Sequence, residues 1–109
     1  MEVARGSIVV LAAKGAYTGK PRRAVVVQSD AFNATHASIT ICPSTSDSVD
    51  APLFRVALPP GVRTGLVVAS QVMADKVSSG PRDAVRAIGA CDALHLEQID
   101  DALRRWLDL

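Results

Sequence analysis

Two neighbouring stretches decide the fold: residues Arg22–Ser29 read RRAVVVQS, and residues Thr35–Pro43 read THASITICP. Three consecutive valines in the first stretch indicate a strand whose centre is buried on both faces. Polar and apolar residues alternate along the second, which is the period of a half-buried strand. A turn is expected at Ser29–Asn33. These stretches therefore predict two short strands joined by a tight connection.

Further short strands are expected on both sides of this pair. They are predicted at Ser7–Ala13, at Leu53–Leu58, and at Thr64–Val77, the last as one long strand or two with a kink near Ser70. Stretches rich in Gly, Pro and Ser separate them: Lys14–Pro21 as an exposed loop, Pro43–Asp50 as a polar turn, and Pro59–Gly61 and Ser78–Pro81 as breaks.

The C-terminal segment has a different period. From Leu96 to Leu107 the apolar residues, Trp106 among them, recur on one face of an α-helix, and Asp92 is placed to cap its start. Two i,i+4 ion pairs are expected on the exposed face, Asp100/Arg104 and Asp101/Arg105. Five or six short strands followed by one helix favour a mainly β fold, a small barrel with a C-terminal helix, in a single domain spanning residues 1–109.

Composition excludes several classes of protein. With 49% apolar and 21% charged residues, the chain is not expected to be disordered. No apolar run approaches the roughly 20 residues that span a bilayer, and the N-terminus lacks the basic start of a secretory signal. We therefore expect a cytoplasmic protein without a membrane partner.

The possible metal ligands are few and far apart. Cys42 and Cys91 are predicted to be reduced, buried thiols, and His36 and His95 to lie on the surface. No closely spaced set of ligands exists, so neither a metal nor another cofactor is expected.

Charge is distributed unevenly along the chain. The formal net charge is only +1. Residues 1–30 nevertheless carry five basic side chains against two acidic ones, whereas residues 80–109 carry four against six. The basic side of the protein is therefore expected near its N-terminus.

Basic and hydroxyl side chains occur at the ends of adjacent predicted strands. Lys20, Arg22 and Arg23 are at the start of the second strand, and Ser44, Thr45 and Ser46 follow the third. A guanidinium fork beside hydroxyl donors suits a phosphate group. Spacing alone favours the simpler interpretation, in which these are solvated charges and turn residues.

Four blocks in order add to this interpretation. They are RGSIV at Arg5–Val9, GKPRRAVVVQSD at Gly19–Asp30, CPSTS at Cys42–Ser46, and Gly65-Leu66 followed by Ser70-Gln71-Val72. In this order and spacing, and on through Ile88-Gly89 and the terminal helix, the chain resembles the MazF/PemK toxin family.

That resemblance implies a Src-homology-3-like barrel with a C-terminal helix, acting as a homodimer. Members are toxins of toxin–antitoxin pairs that cut single-stranded RNA, usually mRNA, without a metal, leaving 2′,3′-cyclic phosphate and 5′-hydroxyl ends. The partner would be a small antitoxin whose acidic-hydrophobic tail lies across the groove in which the RNA is cut.

The resemblance also assigns residue roles. The family's catalytic arginine and threonine fall on Arg22 and Thr45. RNA contacts are expected from the surrounding side chains, with Tyr17 either stacking on a base or packing on the surface: Lys14, Tyr17, Lys20, Arg23, Ser44 and Ser46.

Three departures from the family pattern bear on the chemistry. Ser7 replaces an opening Asp, and Arg23 replaces the Pro that follows the catalytic arginine. Successive strand residues point to opposite faces, so only one of Arg22 and Arg23 is expected to face the groove, and alignment favours Arg22. Val68 and Ser70 stand where some relatives carry Arg and Asp.

The general base therefore has no assigned residue. Two auxiliary candidates are Ser70 itself and Asp75, the nearest acid along the chain.

Two other functions remain open. CcdB-like toxins resemble the same barrel but poison DNA gyrase through a C-terminal Trp-Gly-Ile, and this chain has Trp106 without Gly-Ile. A catalytically impaired relative that only binds RNA or an antitoxin is favoured by Ser70 in place of the acid.

Overall fold

A mainly β fold with a C-terminal helix is present in the computed structural model, which describes residues 2–11 and 21–109. The strands of those residues are β1 (Ser7–Leu11), β2 (Arg22–Val26), β3 (Ser38–Thr45), β4 (Arg55–Leu58), β5 (Ser70–Met73), β6 (Ser78–Pro81) and β7 (Val85–Ala90). Helix α1 spans Ala93–Leu107, and short 3₁₀ turns occupy Asp30–Phe32, Ala74–Lys76 and Arg82–Ala84. The predicted fold class is confirmed.

Strand β3 organises the sheet because it pairs with three other strands. All pairings are antiparallel, and the strand order is β4-β5-β3-β2-β1-β7, with β6 also on β3. The first half of β3 pairs with β6, its middle with β2, and its last two residues, Ser44 and Thr45, with β5. The end of β3 therefore lies between β2 and β5.

Two apolar clusters cover opposite faces of the central strands. Val25 and Cys42 belong to the cluster that packs against α1 through Ile99 and Ala102. The other cluster is formed by residues of alternate parity, namely Val9, Ala24, Val26, Ile39 and Ile41. Burial of consecutive residues on both faces explains the valine run and confirms the prediction for β2.

Helix α1 is capped as predicted. The Asp92 side chain accepts a hydrogen bond of 2.8 Å from the His95 backbone N–H. Trp106 packs edge-on against Phe54, with ring centroids 5.2 Å apart. No helix among the described residues is long and apolar enough to cross a membrane.

The predicted i,i+4 ion pairs are wrong. Asp100 instead pairs with the Arg5 guanidinium, tying the N-terminal segment to the helix, and Asp101 pairs with Arg104 at i,i+3 with 2.6 Å between Nη1 and Oδ1. Arg105 donates to the Leu53 carbonyl at 2.9 Å. Asp100 and Arg105 thus have partners far away in the chain, which outcompete the exposed i,i+4 pairs because such pairs are individually weak.

Several predicted strand limits are also wrong. Strand β2 ends at Val26 rather than Ser29, and β4 begins at Arg55 rather than Leu53. Strand β3 runs from Ser38 to Thr45 rather than from Thr35 to Pro43, and it continues to Thr45 because β5 pairs with its end. Within Thr64–Val77 only Ser70–Met73 is a strand. The expected end of the first strand, Ala12–Ala13, lies outside the described residues.

Strands β6 and β7 were not predicted. Ser78–Pro81 is a strand because β3 offers it a free edge, although its Gly and Pro suggest a break. Val85–Ala90 pairs with β1. There the backbone of the Arg63–Gly65 turn approaches so closely that a Cβ on Gly89 would lie 2.2 Å from the Thr64 carbonyl oxygen.

Candidate active site

The register of β2 and β3, continued toward their adjoining ends, sets Arg22 opposite Thr45. The register pairs Ala24 with Pro43 and Val25 with Cys42, and its continuation by two residues brings Arg22 opposite Thr45. A 3.3 Å hydrogen bond from Ser44 Oγ to the Arg23 carbonyl shows that the strands stay together at this end. Directly opposed residues of an antiparallel pair present their side chains on one face, about 5 Å apart at Cβ.

The same register separates the two arginines. Arg22 shares its face with Ala24 and Val26, whereas Arg23 shares the other face with Val25 and lies opposite Ser44. Both arginines are exposed. Only Arg22 therefore shares a face with Thr45.

Thr45 is half-buried and its hydroxyl is oriented by the backbone that follows it. The Asp47 N–H donates to Thr45 Oγ1 at 3.1 Å. A hydroxyl can accept this bond and still donate its own proton. The geometry therefore suits Thr45 to donate to an anionic oxygen beside Arg22.

Gln71 lies beside Thr45 on the side away from Arg22, because the β3–β5 register pairs Gln71 with Thr45. Its Oε1 accepts from the Val49 N–H at 3.0 Å, and its Nε2 donates to the Val49 carbonyl at 2.9 Å. Sequence reasoning gave Gln71 no role beyond its place in a family block. The sequence signal that could have indicated a role is that Gln71 is the one long amide side chain in the strand SQVM, whose other residues are buried. The row Arg22–Thr45–Gln71 crosses β2, β3 and β5.

The remaining predicted site residues lie in different places. Ser46 is exposed immediately after β3, beside the row. Ser70 is 6% exposed and its hydroxyl donates to the Val68 carbonyl at 3.2 Å, so it faces the interior. Lys14, Tyr17 and Lys20 lie outside the described residues.

Asp75 is held away from the row. Its carboxylate forms two hydrogen bonds with the Arg55 guanidinium, of 3.0 Å to Nε and 3.3 Å to Nη2. Arg55 pairs with Met73, and Asp75 follows in the 3₁₀ turn beyond the opposite end of β5 from Gln71. The structure does not bring this acid next to Thr45.

Neither cysteine is an activated nucleophile. Burial, with smaller contributions from Asp100 and Asp75, raises the pKa of Cys42 to about 12. Burial also raises the pKa of Cys91 to about 11. The fully buried Cys42 agrees with the prediction of an inert core thiol, whereas Cys91 is only half-buried.

The histidines lie outside the row. His36 is exposed on the surface, as predicted; it lies ahead of β3, with its ring edge-on to Phe32. His95 Nδ1 lies 2.6 Å from Asp92 Oδ1 in the first turn of α1. Residues 2–11 and 21–109 contain no group of three or more His, Cys, Asp or Glu side chains able to hold a metal ion.

The chain matches a known protein family and a named relative over nearly its whole length. Residues 4–107 match the model of the family described as PemK-like, MazF-like toxin of type II toxin–antitoxin system. A probable endoribonuclease MazF of Mycolicibacterium smegmatis is 42% identical over 106 residues, covering 96% of each chain.

Two solved structures share the fold. A mycobacterial endoribonuclease in complex with its cognate antitoxin superposes with a TM-score of 0.80 at 20% identity, covering 97% of this chain and 95% of that one. The MazE–MazF structure of Deinococcus radiodurans superposes with a TM-score of 0.79 at 27% identity, covering 97% and 96%. The site and fold thus define a class, the small barrel toxins. Within that class, this chain belongs to the PemK-like, MazF-like toxins of type II toxin–antitoxin systems.

Proposed function

We propose that the chain is a metal-independent endoribonuclease that cleaves single-stranded mRNA and thereby inhibits translation and growth. The single observation that supports this proposal is the β2–β3 register, whose continuation by two residues sets Arg22 and Thr45 on one face. The relative at 42% identity is itself named a probable endoribonuclease.

The reaction is transfer of the phosphoryl group to the neighbouring 2′-oxygen. The 2′-hydroxyl loses its proton and its oxygen attacks phosphorus, the bond to the 5′-oxygen breaks, and that oxygen takes up a proton. The products are a 2′,3′-cyclic phosphate and a 5′-hydroxyl. Negative charge grows on the non-bridging oxygens in the transition state, where fixed donors are most effective.

Arg22 and Thr45 supply complementary parts of that stabilisation. The Arg22 guanidinium offers a positive charge and two parallel donors to the phosphoryl oxygens. The Thr45 hydroxyl, held by the Asp47 N–H, donates a further hydrogen bond. Of the two auxiliary candidates, Asp75 is engaged by Arg55 and Ser70 by the Val68 carbonyl, so we assign transfer of the 2′-proton to water or to the substrate itself.

We assign the binding of RNA to the residues that the sequence predicts for it. Lys14, Lys20 and Arg23 attract the phosphate backbone, Tyr17 offers a stacking surface, and Ser44 and Ser46 flank Thr45. The proposed partners are a second copy of the chain and a cognate antitoxin of the MazE/PemI type that occupies the same groove. We further propose that the toxin acts in the cytoplasm as a single domain.

The test is cleavage of a defined single-stranded RNA by purified protein in EDTA. Arg22→Ala and Thr45→Val are each expected to lower kcat by about a hundredfold to a thousandfold, as for loss of one transition-state donor. Mapping of the ends should give a cyclic phosphate and a 5′-hydroxyl.

Arg23→Ala is the matched control because it removes the same charge one residue away on the opposite face. It is expected to raise KM more than it lowers kcat. Parent-like kcat in both Arg22→Ala and Thr45→Val would overturn the assignment. RNA binding without cleavage by the parent would indicate an impaired relative, and DNA breaks formed only with gyrase would indicate a CcdB-like poison.

A further inference from the structure

The loop that follows β3 is held to β5 by the side chain of Gln71. Residues 46–50 are all exposed, so apolar packing does not hold them. Gln71 binds both backbone polar groups of Val49, at 3.0 Å and 2.9 Å, from within β5. We propose that Gln71 is a positioning residue for RNA cleavage, acting through Thr45; this inference rests on the proposed function.

A short stretch of backbone connects the Gln71 side chain to the Thr45 hydroxyl. Gln71 holds Val49, and two residues earlier the Asp47 N–H donates to Thr45 Oγ1 at 3.1 Å. The loop is therefore anchored at both Thr45 and Gln71, which are themselves neighbours in the β3–β5 register. Release of Val49 frees the Asp47 N–H, and the Thr45 hydroxyl then loses the bond that fixes its direction.

A carboxamide is the group that this arrangement requires. Val49 presents one donor and one acceptor, and an amide presents one acceptor and two donors. A carboxylate has only acceptors, so Gln71→Glu keeps the bond to the Val49 N–H and places a negative oxygen against the Val49 carbonyl. The substitution changes the shape of the side chain very little, and it removes the hydrogen bond to the Val49 carbonyl.

The chain offers a matched control in a second glutamine that also binds backbone. Gln28 Oε1 accepts from the Thr40 N–H at 3.2 Å, and its Nε2 donates to Asn33 Oδ1 at 3.2 Å. Gln28 is half-buried like Gln71, but it binds the opposite half of β3. Gln28→Glu therefore repeats the chemistry of the substitution away from Thr45.

Steady-state cleavage of one defined RNA tests the role. Gln71→Glu is expected to lower kcat by about tenfold to a hundredfold, the size of effect seen when a reacting group is displaced by about 1 Å, with little change in KM. Gln28→Glu is expected to keep the kcat of the parent. If the two variants cleave equally fast, the proposal is overturned.

A double-mutant cycle shows whether Gln71 acts through Thr45. Thr45→Val and the double variant Thr45→Val/Gln71→Glu are expected to have the same kcat, because the hydroxyl that Gln71 orients is already absent. Independent, multiplicative losses would overturn the proposal. Parent-like cleavage by Thr45→Val would instead overturn the catalytic assignment on which this inference rests.

A pH profile gives a readout that loss of stability would not produce. The carboxyl group introduced by Gln71→Glu again has one donor and one acceptor once it is protonated. The ratio of variant to parent kcat should therefore rise as pH falls from 7 toward the ordinary Glu pKa of about 4.3. A flat or falling ratio would contradict the role. If Gln71→Glu does not fold, Gln71→Met replaces it in the cycle with the same expected loss of kcat.

Discussion

At the scale of single residues, position on a strand decides chemistry more than residue type does. Arg22 and Arg23 are identical in type and both are exposed, yet only Arg22 shares a face with Thr45. Cys42 is a potential nucleophile by type, and burial among Val25, Val72 and Ile99 makes it an inert part of the core.

The Cys42 thiol should make stability depend on alkaline pH. Its folded-state pKa, about 12, lies above the ordinary value of 9.0, so the protonated thiol stabilises the fold fully below pH 9. That contribution is lost as pH rises from 9 toward 12, because the unfolded thiol ionises first. Denaturant unfolding at pH 8 and pH 10 should show a smaller loss for Cys42→Ala than for the parent. Equal losses would contradict this.

At the scale of elements, β3 and β7 illustrate two limits of local sequence patterns. Strand β3 continues through Pro43 to Thr45 because β5 offers a partner for its last two residues. The Arg63–Gly65 turn packs against β7 only because Gly89 has no side chain. Neither feature has a periodic signal, so both depend on the neighbouring chain segment.

Gly89→Ala should be severely destabilising. Its Cβ would meet backbone atoms of Thr64 at 2.2 and 2.3 Å, and backbone cannot yield without separating the turn from β7. The expected loss is about 3 kcal/mol or more in the free energy of unfolding.

Thermal unfolding measures this loss of stability. Gly80→Ala is the control, since the Cβ there meets only the end of the Leu11 side chain at 3.0 Å. Its melting temperature should fall much less than that of Gly89→Ala. Similar melting temperatures for the two variants would show that the Thr64–Gly89 approach is not rigid.

At the scale of the whole molecule, several apolar side chains among the described residues remain exposed, and two groups of them lie close together in the chain. Val62, Val67 and Val68 lie on the turn ahead of β5, and Trp106, Leu107 and Leu109 lie at the end of α1. Val62 is fully exposed and Val67 is 82% exposed. Exposed groups of this kind mark interaction surfaces.

We therefore predict a homodimer in solution, as the family resemblance implies. Light scattering after size exclusion should give about twice the chain mass of 11.4 kDa at micromolar concentration. A mass that stays at that of one chain up to high concentration would contradict the prediction. Arg23→Ala, on a solvated strand end, serves as a surface control that should leave the mass unchanged.

Much of the fold and part of the site could be predicted because their signals are local. The valine run, the Ile alternation and the 3.6-residue period from Leu96 report burial within one element. Strands β6 and β7 lack such a signal, because SSGP and VRAIGA are defined by the partners they meet. Arg22 and Thr45 were found through ordered blocks, whereas Gln71 emerged only from its contacts with Val49.

The sequence by itself determined the class of fold, the capped helix, the inert Cys42 and the pair of candidate catalytic residues. Only the tertiary structure decided which arginine faces Thr45, what holds the loop after β3, and where Asp75 and Ser70 are engaged. The physical reason is register: a shift of one residue in strand pairing reverses every side chain, and pairing joins segments far apart in the chain.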